Sequence, residues 1–550
     1  MLRGNRRKWI TFFAFILVTV LVFQQLGFWE DKFEVQSGFI YQLQDGDRSH
    51  PVEHLHAAAK EEFADLLSRQ STTVEDAVVK YRRKYRREPP PGFEAWFEFA
   101  KKHASLVVDE YDEMLQSLEP FWKIAPANVV RLMERLDSPE QTRGYMKKCS
   151  LMQGKLRDCG AWAGVMTRSW SLELALRSIP DMTFIANYMD EPAVLASEST
   201  EEDLTVESVE TFEWSTTSHQ PVWPQVQGVC AKLGKHELPK AITSSIDFPH
   251  LEFVTNVTLE KDLCAHPEFS EIHGYLASPS NSLHVDRSVP VLSRAVPYPY
   301  ADILFPAPSY SWAEFLYSPW RDRSWKRKIN RLYWVGSNTG SYTHDEQWHN
   351  HHRQRLVLLG LGITPDSEGA EKNITYLGKA GVDDRWMPYT TTAFNRSLYH
   401  VAISRIGSCE KPACEQQIKA FKPPKTREAA SEPYQYRYVF DIDGNSLSGR
   451  FYRLLASNSA VLKTTIFKEW HDERLVPWLH YIPVSLGLEE LPELVRFLAT
   501  TNEGREIGRR VAQEGKAWHA KGLREIDRGV YFYRLLLELS WLQNPERVPG

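Results

Sequence analysis

The chain has 550 residues, with 42% hydrophobic and 25% charged side chains, a composition that excludes a mainly disordered, fibrous or polytopic membrane protein. Its 66 basic and 71 acidic residues give a formal net charge of -5, so no nucleic-acid partner is expected. Length alone suggests about three or four domains of about 150 residues each.

The N-terminal segment has the pattern of a membrane anchor. A basic stretch over residues 1–8 precedes an apolar run from Trp9 to Trp29. About 20 apolar residues cross a bilayer, and tryptophan favours its interfaces. We therefore predict a cytosolic tail over residues 1–8 and a single transmembrane signal anchor over residues 9–29. A cleaved signal peptide is the alternative, but no small-residue cleavage site follows the run.

The predicted orientation is type II, with the bulk of the chain in the lumen of the Golgi or the ER. Six cysteines, without a CxxC motif, agree with an oxidising compartment. Their close spacing suggests the disulfides Cys149–Cys159, Cys230–Cys264 and Cys409–Cys414. Three sequons predict N-glycosylation, at Asn256, Asn373 and Asn395.

Residues 30–92 are predicted to form a stem or linker. Helical periodicity runs from Glu53 to Arg69, and a basic stretch from Lys80 to Arg87 comes just before three consecutive prolines. A triple proline ends a helix and stiffens the chain. We interpret the basic stretch as a solvated junction. Contact with acidic lipid headgroups or with an acidic polysaccharide is the alternative.

From Phe93 onward, helices alternate with short apolar runs, the pattern of parallel sheets. In the first half the predicted strands are Met182–Tyr188, Pro290–Ala295 and Ala301–Pro306. After a tryptophan-rich segment, the predicted elements are the strand Arg331–Ser337, the helix Gln347–Gly360, and the strands Tyr436–Gly444, Ser459–Thr464 and Trp478–Val484. The predicted fold class is α/β, with two doubly wound Rossmann-type domains that face a cleft, over residues 93–320 and 321–550, behind the N-terminal anchor.

Two strand ends in the second half have the residues of a phosphate-binding site. Ligands bind at the carboxyl ends of parallel strands, and phosphates bind at helix N-termini. One strand leads into a turn that offers close backbone approach and hydroxyl donors, at Gly336, Ser337, Thr339 and Gly340. The other leads to a helix that starts with Ser448, Gly449 and Arg450, where an arginine can hold a diphosphate by two hydrogen bonds. In the alternative interpretation each is a simple glycine turn.

Asp441 and Asp443 form a DxD pattern, which in many sugar transferases holds a divalent cation under the diphosphate. Alternation along a strand places both side chains on one face, which is compatible with a metal. We favour one buried and one capping aspartate, because Arg450 can supply the neutralising charge instead. We therefore expect no metal and no other required cofactor.

In the first half, Asp190 and Glu191 come directly after a predicted buried strand. A carboxylate there can face the cleft and act as a general base, or it can form a cap or turn before Pro192. A group of histidines invites a metal interpretation, but no carboxylate has matching spacing, and a solvated helix face is predicted. These histidines are His344, His349, His351 and His352.

The sequence resembles the CAP10-like glycosyltransferases, a family that includes fungal capsule xylosyltransferases and animal protein O-glucosyltransferases. The resemblance runs from Tyr81 to Leu542. Its most specific block is YRYVFDIDGNSLSGRFYRLLASNSAVLKTTIFKEWHDERLVPWLHYIPV, residues 436–484. The segments YRRKYRREPPPGFEAWFEFA and VPVLSRAVPYPYADILFP also match.

The resemblance implies a GT-B-like fold, an inverting mechanism, an acceptor-side domain over 93–320 and a UDP-sugar-binding domain over 321–550. It implies that Asp190, within NYMDEP, is the catalytic base. It also implies donor contacts from the Gly336–Gly340 turn, Ser448 and Arg450, and it places Glu469 near the nucleotide. Some members of the family lack the DxD acids, which argues against a metal at this position.

One position departs from the family pattern, because Val335 stands where many members have arginine. Arg353 or Arg355 is expected to compensate; otherwise the donor preference differs or activity is lost. The predicted function is transfer of a sugar, with xylose preferred, from UDP-xylose or UDP-glucose to a mannose-containing glycan or glycoprotein. Protein O-glucosylation is the alternative enzyme activity. A catalytically inactive glycan-binding or assembly scaffold is the alternative of another class.

Overall fold

The computed structural model describes residues 48–136, 142–160, 170–195, 213–234, 245–248, 251–363, 373–381, 384–426 and 428–548. All the described residues belong to one compact unit, Leu43–Gly550. Within the described ranges, no helix combines the length and apolar character that a membrane crossing requires. The predicted anchor over residues 9–29 lies outside those ranges. The observed fold therefore includes no transmembrane helix among the described residues, in contrast to the predicted fold class.

Helices dominate the described part that precedes the first sheet. They are α1 Pro51–Ser68, α2 Val74–Tyr85, α3 Phe93–Lys102, α4 Asp112–Trp122 and α5 Pro126–Leu136. Helix α1 confirms the helix predicted from Glu53, and it starts at Pro51, where a missing N–H costs nothing. Its buried face, with Val52 and Leu55, packs into the hydrophobic core of the second half. The segment predicted as a stem is therefore packed against the fold from its first described helix onward.

The basic stretch on α2 pairs with acidic side chains of the same chain. Lys80 contacts Asp109 at 2.9 Å, and Lys84 contacts Asp112 at 2.6 Å. The Arg87 guanidinium lies 4.2 Å from the Trp122 ring centroid. This stretch is thus partly neutralised within the fold, and its cations are not a uniformly solvated run.

The first sheet is mixed, which corrects the predicted class of two doubly wound domains. Its strands are β1 Met146–Met152, β2 Lys155–Arg157, β3 Met182–Asn187, β8 Val291–Ser293 and β9 Ile303–Leu304, in the spatial order β2-β1-β3-β8-β9. β1 pairs antiparallel with both β2 and β3, whereas β3, β8 and β9 are mutually parallel. The two-residue turn between β1 and β2 makes a hairpin where a doubly wound fold would have a crossover helix.

The second sheet has the order β13-β10-β14-β15-β16, and all its pairs are parallel. Its strands are β10 Ile329–Ser337, β13 Tyr399–Arg405, β14 Tyr436–Ile442, β15 Ala460–Thr464 and β16 Ile482–Pro483. Successive residues of β14 pack into two different hydrophobic clusters, Val439 into the first and Phe440 into the second. Both faces are therefore covered, as expected for a parallel sheet.

Shorter strand pairs and the remaining helices complete the unit. The strands are β4 Ser215–Thr216, β5 Ser245–Phe248, β6 Leu251–Val254, β7 Leu283–His284, β11 Ile374–Ala380 and β12 Arg385–Thr391. The helices are α6 Trp170–Leu176, α7 Trp223–Lys232, α8 Phe269–Ile272, α9 Gly274–Ala277, α10 His352–Leu361, α11 Lys411–Phe421, α12 Phe451–Leu455, α13 Leu491–Thr500, α14 Asn502–Gly522 and α15 Glu525–Leu542.

Two of the three suggested disulfides are present, Cys230–Cys264 and Cys409–Cys414. The third suggestion is wrong for this structure, because Cys149 and Cys159 are buried thiols. Each formed bridge joins a cysteine of a helix, Cys230 in α7 or Cys414 in α11, to a cysteine outside the two large sheets.

The two halves share one core. Helix α15, at the C-terminal end of the chain, packs against α3 and α6 of the first half. There the Trp96 indole donates to the Val530 carbonyl at 2.9 Å, and the Tyr81 hydroxyl donates to Glu538 at 3.2 Å. The loops at the carboxyl ends of the two sheets are thereby held in a fixed relation.

Candidate functional site

A hydrogen-bonded turn follows strand β3 and presents Asp190. The Asn187 amide donates to the Glu191 carbonyl at 2.7 Å and to the Ser293 hydroxyl at 3.0 Å. The same side chain accepts from the Met189 backbone N–H at 2.9 Å. Because Ser293 ends the neighbouring parallel strand β8, the turn is fixed at the carboxyl edge of the sheet, where ligands bind in such sheets.

The Asp190 carboxylate is half exposed and paired. Its side chain is 54% exposed, and Oδ1 lies 3.1 Å from the Arg294 guanidinium. Arg294 also donates to the carbonyls of Tyr188 and Met189, so it is anchored to the same turn. An accessible carboxylate in a fixed orientation has the geometry of a general base. Sequence reasoning missed Arg294, because its role depends on the pairing of β3 with β8.

Glu191, the next residue, is buried. Its Oε1 accepts from the Asn281 backbone N–H at 3.2 Å, and Oε2 has no hydrogen-bond partner among the described residues. Burial, followed by the nearby charge of Asp190, raises the pKa of Glu191 to about 8. Glu191 is therefore mostly protonated at neutral pH.

Two arginines converge on the turn after β10 in the second half. Arg353, near the start of α10, donates to the Ser337 carbonyl at 3.1 Å and to the Thr339 hydroxyl at 2.7 Å. Arg450 donates to the Val335 carbonyl at 2.8 Å. Both guanidinium carbons lie near the Trp334 ring, at 5.7 Å and 5.6 Å from its centroid. Two cations around one turn form a site suited to an anion.

The electrostatics of this turn favour an anionic ligand. Burial, followed by the charge of Arg450, lowers the pKa of Arg353 to about 9. An anion placed between the two guanidinium groups would offset both effects. Glycine at position 336 lets Trp334 and Arg450 pack closely against the backbone, since a Cβ there would lie 2.7 Å from the Trp334 ring and 2.8 Å from Arg450 Nη2.

The backbone conformation explains why the second glycine of the turn, Gly340, is a glycine. Gly340 has φ +113°, a backbone conformation that L side chains rarely adopt. A Cβ there would also lie 2.9 Å from the Gly444 carbonyl oxygen. The structure thus brings Arg353 into contact with the predicted turn of Gly336, Ser337, Thr339 and Gly340.

The DxD aspartates are engaged by protein groups. Asp441 accepts from the Ser448 hydroxyl at 2.5 Å and from the Lys463 ammonium at 2.8 Å. Asp443 Oδ2 accepts from the Ile466 backbone N–H at 3.0 Å. In the portion of the chain that the structure describes, no group of three or more His, Cys, Asp or Glu side chains could hold a metal. Lys463 supplies the charge opposite Asp441, which is the place a cation would take.

The remaining predicted donor residues lie in different surroundings. The Ser448 hydroxyl points to Asp441, and a Cβ on Gly449 would lie 2.8 Å from the Phe315 ring. Glu469 is buried, and its Oε2 accepts from the Tyr310 hydroxyl at 2.6 Å. Burial raises the pKa of Glu469 to about 8. Glu469 is therefore a buried core residue. The ammonium group of Lys463 interacts electrostatically with both Glu469 and Asp441.

The histidine prediction is wrong for His351 and His352, which are buried and do not form a solvated helix face. His352 lies 3.2 Å from the Asp443 carbonyl oxygen, and its ring stacks on that of His273 at 4.2 Å. His273 comes from the first half of the chain and also contacts the Asp443 carboxylate at 3.3 Å. Burial lowers the pKa of His351 to about 4 and that of His352 well below its ordinary value. His351 and His352 are thus neutral, and His352 packs against a residue of the first half of the chain.

One segment of the first half joins the two candidate regions. Asn281 contacts Glu191, and the preceding Ser280 donates to the Asn445 side chain at 3.2 Å. Asn445 in turn accepts from the Gly340 backbone N–H at 3.2 Å. This chain of contacts leads from the turn that carries Asp190 to the turn that carries the arginines. No periodicity or motif in the sequence signals it.

Comparison with known proteins assigns this arrangement to a family. The sequence model of glycosyl transferase family 90 matches residues 277–547, which contain both arginines and Arg294 but not Asp190. The O-glucosyltransferase rumi homolog of Aedes aegypti is 36% identical over 107 residues, 18% of this chain and 25% of that protein.

Two further relatives match segments of similar length. Protein O-glucosyltransferase 1 of Bos taurus is 30% identical over 109 residues, 19% of this chain and 26% of that protein. Protein O-glucosyltransferase 3 of Rattus norvegicus is 30% identical over 126 residues, 21% of this chain and 24% of that protein. The match thus spans about a quarter of the length of each of these relatives.

Proposed function

Because residues 277–547 form a glycosyl transferase family 90 domain, we propose that the chain transfers a sugar from a UDP-sugar to a hydroxyl of a glycan or glycoprotein acceptor, with Asp190 as general base. The pair Arg353 and Arg450 at the Gly336 turn carries this proposal. It supplies the positive charge that a nucleotide diphosphate requires, at the strand edge where such ligands bind.

The proposed reaction is a single displacement with inversion at the anomeric carbon. Asp190 accepts the proton of the acceptor hydroxyl while that oxygen bonds to the anomeric carbon. The bond from this carbon to the diphosphate oxygen breaks, and UDP leaves with the bonding electrons. Arg353 and Arg450 stabilise the negative charge that develops on the leaving group, an effect typically about 3 kcal/mol for each preorganised donor.

Arg353 is the residue that compensates for Val335. Arg353 reaches the Gly336 turn, whereas Arg355 donates to the Leu486 and Gly487 carbonyls at 3.1 Å and 2.7 Å. The turn therefore retains two cations although the arginine common in the family is absent. This favours an active enzyme over an inactive scaffold.

The donor sugar has two candidates, each favoured by a different observation. The segment YRRKYRREPPPGFEAWFEFA, residues 81–100, resembles the entry segment of fungal members of the family, which favours UDP-xylose and a mannose-containing acceptor. The three relatives named O-glucosyltransferases favour UDP-glucose and a protein acceptor. We place the reaction in an oxidising compartment of the secretory pathway, which the two disulfides support.

A panel of UDP-sugars tests the proposal. The full chain is assayed for acceptor-dependent UDP release with UDP-xylose or UDP-glucose, each with mannan and with a glycoprotein, in the presence and absence of EDTA. We expect release with one of the two donors, unchanged by EDTA, because Lys463 and the arginines neutralise the site. Release that EDTA abolishes would restore a metal at the DxD pair. No release from any donor together with no UDP binding in a titration would favour the inactive scaffold, whereas UDP binding without release would point to a wrong acceptor.

A further inference from the structure

A cavity of about 290 Å³ lies beside the amino-terminal end of β13, at the edge of the sheet opposite the Gly336 turn. It is lined by β11, β12, the start of β13, α13 and the loop that carries Asn395. None of these residues belongs to the site described above. The side chains that define its chemistry are Tyr376, Tyr389, Tyr399, Asn395 and Arg496.

The cavity offers aromatic faces to a ligand. Tyr376 and Tyr389 are partners across the β11–β12 ladder, with ring centroids 5.9 Å apart. Tyr389 is 46% exposed and forms an open wall, whereas Tyr376 and Tyr399 are buried. Tyrosine presents an apolar ring together with a polar hydroxyl, a combination suited to the C–H face and the hydroxyls of a sugar ring.

A buried polar atom in the wall lacks a partner. The Tyr399 hydroxyl makes no hydrogen bond within the described residues, although only 8% of Tyr399 is exposed. Burial, followed by the proximity of Tyr376 and Glu493, raises its pKa, and Tyr399 is one of the residues that line the cavity. An unpaired buried hydroxyl is destabilising, and a ligand that hydrogen-bonds to it would remove this penalty.

The rim of the cavity carries a sugar-attachment sequence. Asn395, Arg396 and Ser397 form a sequon, and the Asn395 side chain is exposed. Its Oδ1 accepts from the Ser397 backbone N–H at 3.1 Å and from the Ser397 hydroxyl at 2.6 Å. Nδ2, the atom that carries a glycan, makes no hydrogen bond within the described residues. A sugar attached there starts at the cavity mouth.

We propose that the first N-acetylglucosamine of an N-glycan on Asn395 occupies this cavity and packs on Tyr389. The glycan is transferred from a lipid diphosphate donor of the host cell: the Nδ2–C1 bond forms, the bond from C1 to the diphosphate oxygen breaks, and one amide proton is released. The volume matches a single sugar ring rather than a long glycan. This inference rests on the secretory location proposed above, but it does not depend on the transferase activity.

A double-mutant cycle on the full chain tests the proposal. The protein is expressed in a eukaryotic host that adds N-glycans, and peptide mass spectrometry measures occupancy at Asn395. Asn395→Gln should lower the midpoint of thermal unfolding by about 2 °C in the native background. In the Tyr389→Ala background the same change should have no further effect, because the packing partner of the sugar is already absent. Loss of the Ser397 cap occurs in both backgrounds and cancels.

Asn256 provides the matched control, since its Oδ1 accepts from backbone N–H groups in the same manner but it does not line this cavity. Asn256→Gln and Tyr389→Ala should therefore have additive effects. The proposal is overturned if Asn395 carries no glycan, or if the effects of Asn395→Gln and Tyr389→Ala on stability are also additive.

Discussion

At the residue scale, the contacts that hold the Gly336 turn require guanidinium groups and not just a positive charge. Arg353 contacts both the Ser337 carbonyl and the Thr339 hydroxyl, a geometry that the single ammonium group of lysine cannot reproduce. We expect Arg353→Lys to weaken UDP binding about tenfold in calorimetric titrations, a loss of about 1.4 kcal/mol. Arg355→Lys, in the same helix, should leave the affinity unchanged. Equal losses in both variants would show a general effect on α10.

Glu191 gives a prediction for pH. Its pKa is raised in the folded state, so between about pH 4.5 and pH 8 the unfolded chain releases a proton that the folded chain retains. Folding stability therefore falls as pH rises through this window. Glu191→Gln cannot ionise, so its stability relative to the native chain should increase from pH 5 to pH 8, by at least about 1.4 kcal/mol. Urea denaturation at both pH values measures this difference, and a constant difference would contradict the assignment.

At the element scale, the carboxyl end of strand β10 requires a glycine at position 336. A Cβ on residue 336 would contact Trp334 and Arg450 at less than 3 Å. We expect Gly336→Ala to displace Arg450 and to reduce UDP affinity about tenfold, with the fold retained. Gly228→Ala is the control, since a Cβ there meets nothing within 4 Å. Circular dichroism checks the fold, and native affinity in Gly336→Ala would show that this crowding is tolerated.

The elements that could be predicted from the sequence are those with a local signal. Strands β3, β10 and β14 are apolar runs that the sequence predicted, and Asp190 and Arg450 were predicted as site residues because they follow strand ends. The β1–β2 hairpin was missed, because its two strands mix lysines with apolar residues. Its antiparallel pairing makes the first sheet mixed.

Burial that depends on distant contacts could not be predicted. His351 and His352 look like a polar helix face in the sequence. His352 packs on His273, about 80 residues earlier, and contacts the Asp443 carbonyl, about 90 residues later, whereas His351 contacts the Ser341 hydroxyl. Arg294 was missed for the same reason, since only the pairing of β8 with β3 brings it to Asp190.

At the scale of the whole molecule, a buried ion pair joins the first helices to the last one. Arg534 contacts Glu538 at 3.0 Å within α15, and the Tyr81 hydroxyl of α2 donates to the same carboxylate. Glu538→Leu would leave the Arg534 charge buried and unpaired, so we expect a loss of about 3–5 kcal/mol in unfolding free energy.

An exposed pair gives the comparison for this prediction. Glu506 contacts Arg509 on the surface of α14, and Glu506→Leu should cost about 1 kcal/mol at most. Denaturant unfolding of both variants measures the contrast. Equal losses would show that α15 does not couple the two ends of the fold.

The central claim is that binding and catalysis are divided between the two halves, with UDP held at the Gly336 turn and the proton taken by Asp190. The most direct measurement compares Asp190→Asn with the native chain for both UDP affinity and acceptor-dependent turnover. Asp286→Asn, an exposed aspartate of the same half, serves as the control. The account predicts that turnover falls about 10²- to 10⁴-fold in Asp190→Asn while UDP affinity is unchanged. Normal turnover in this variant would contradict the account.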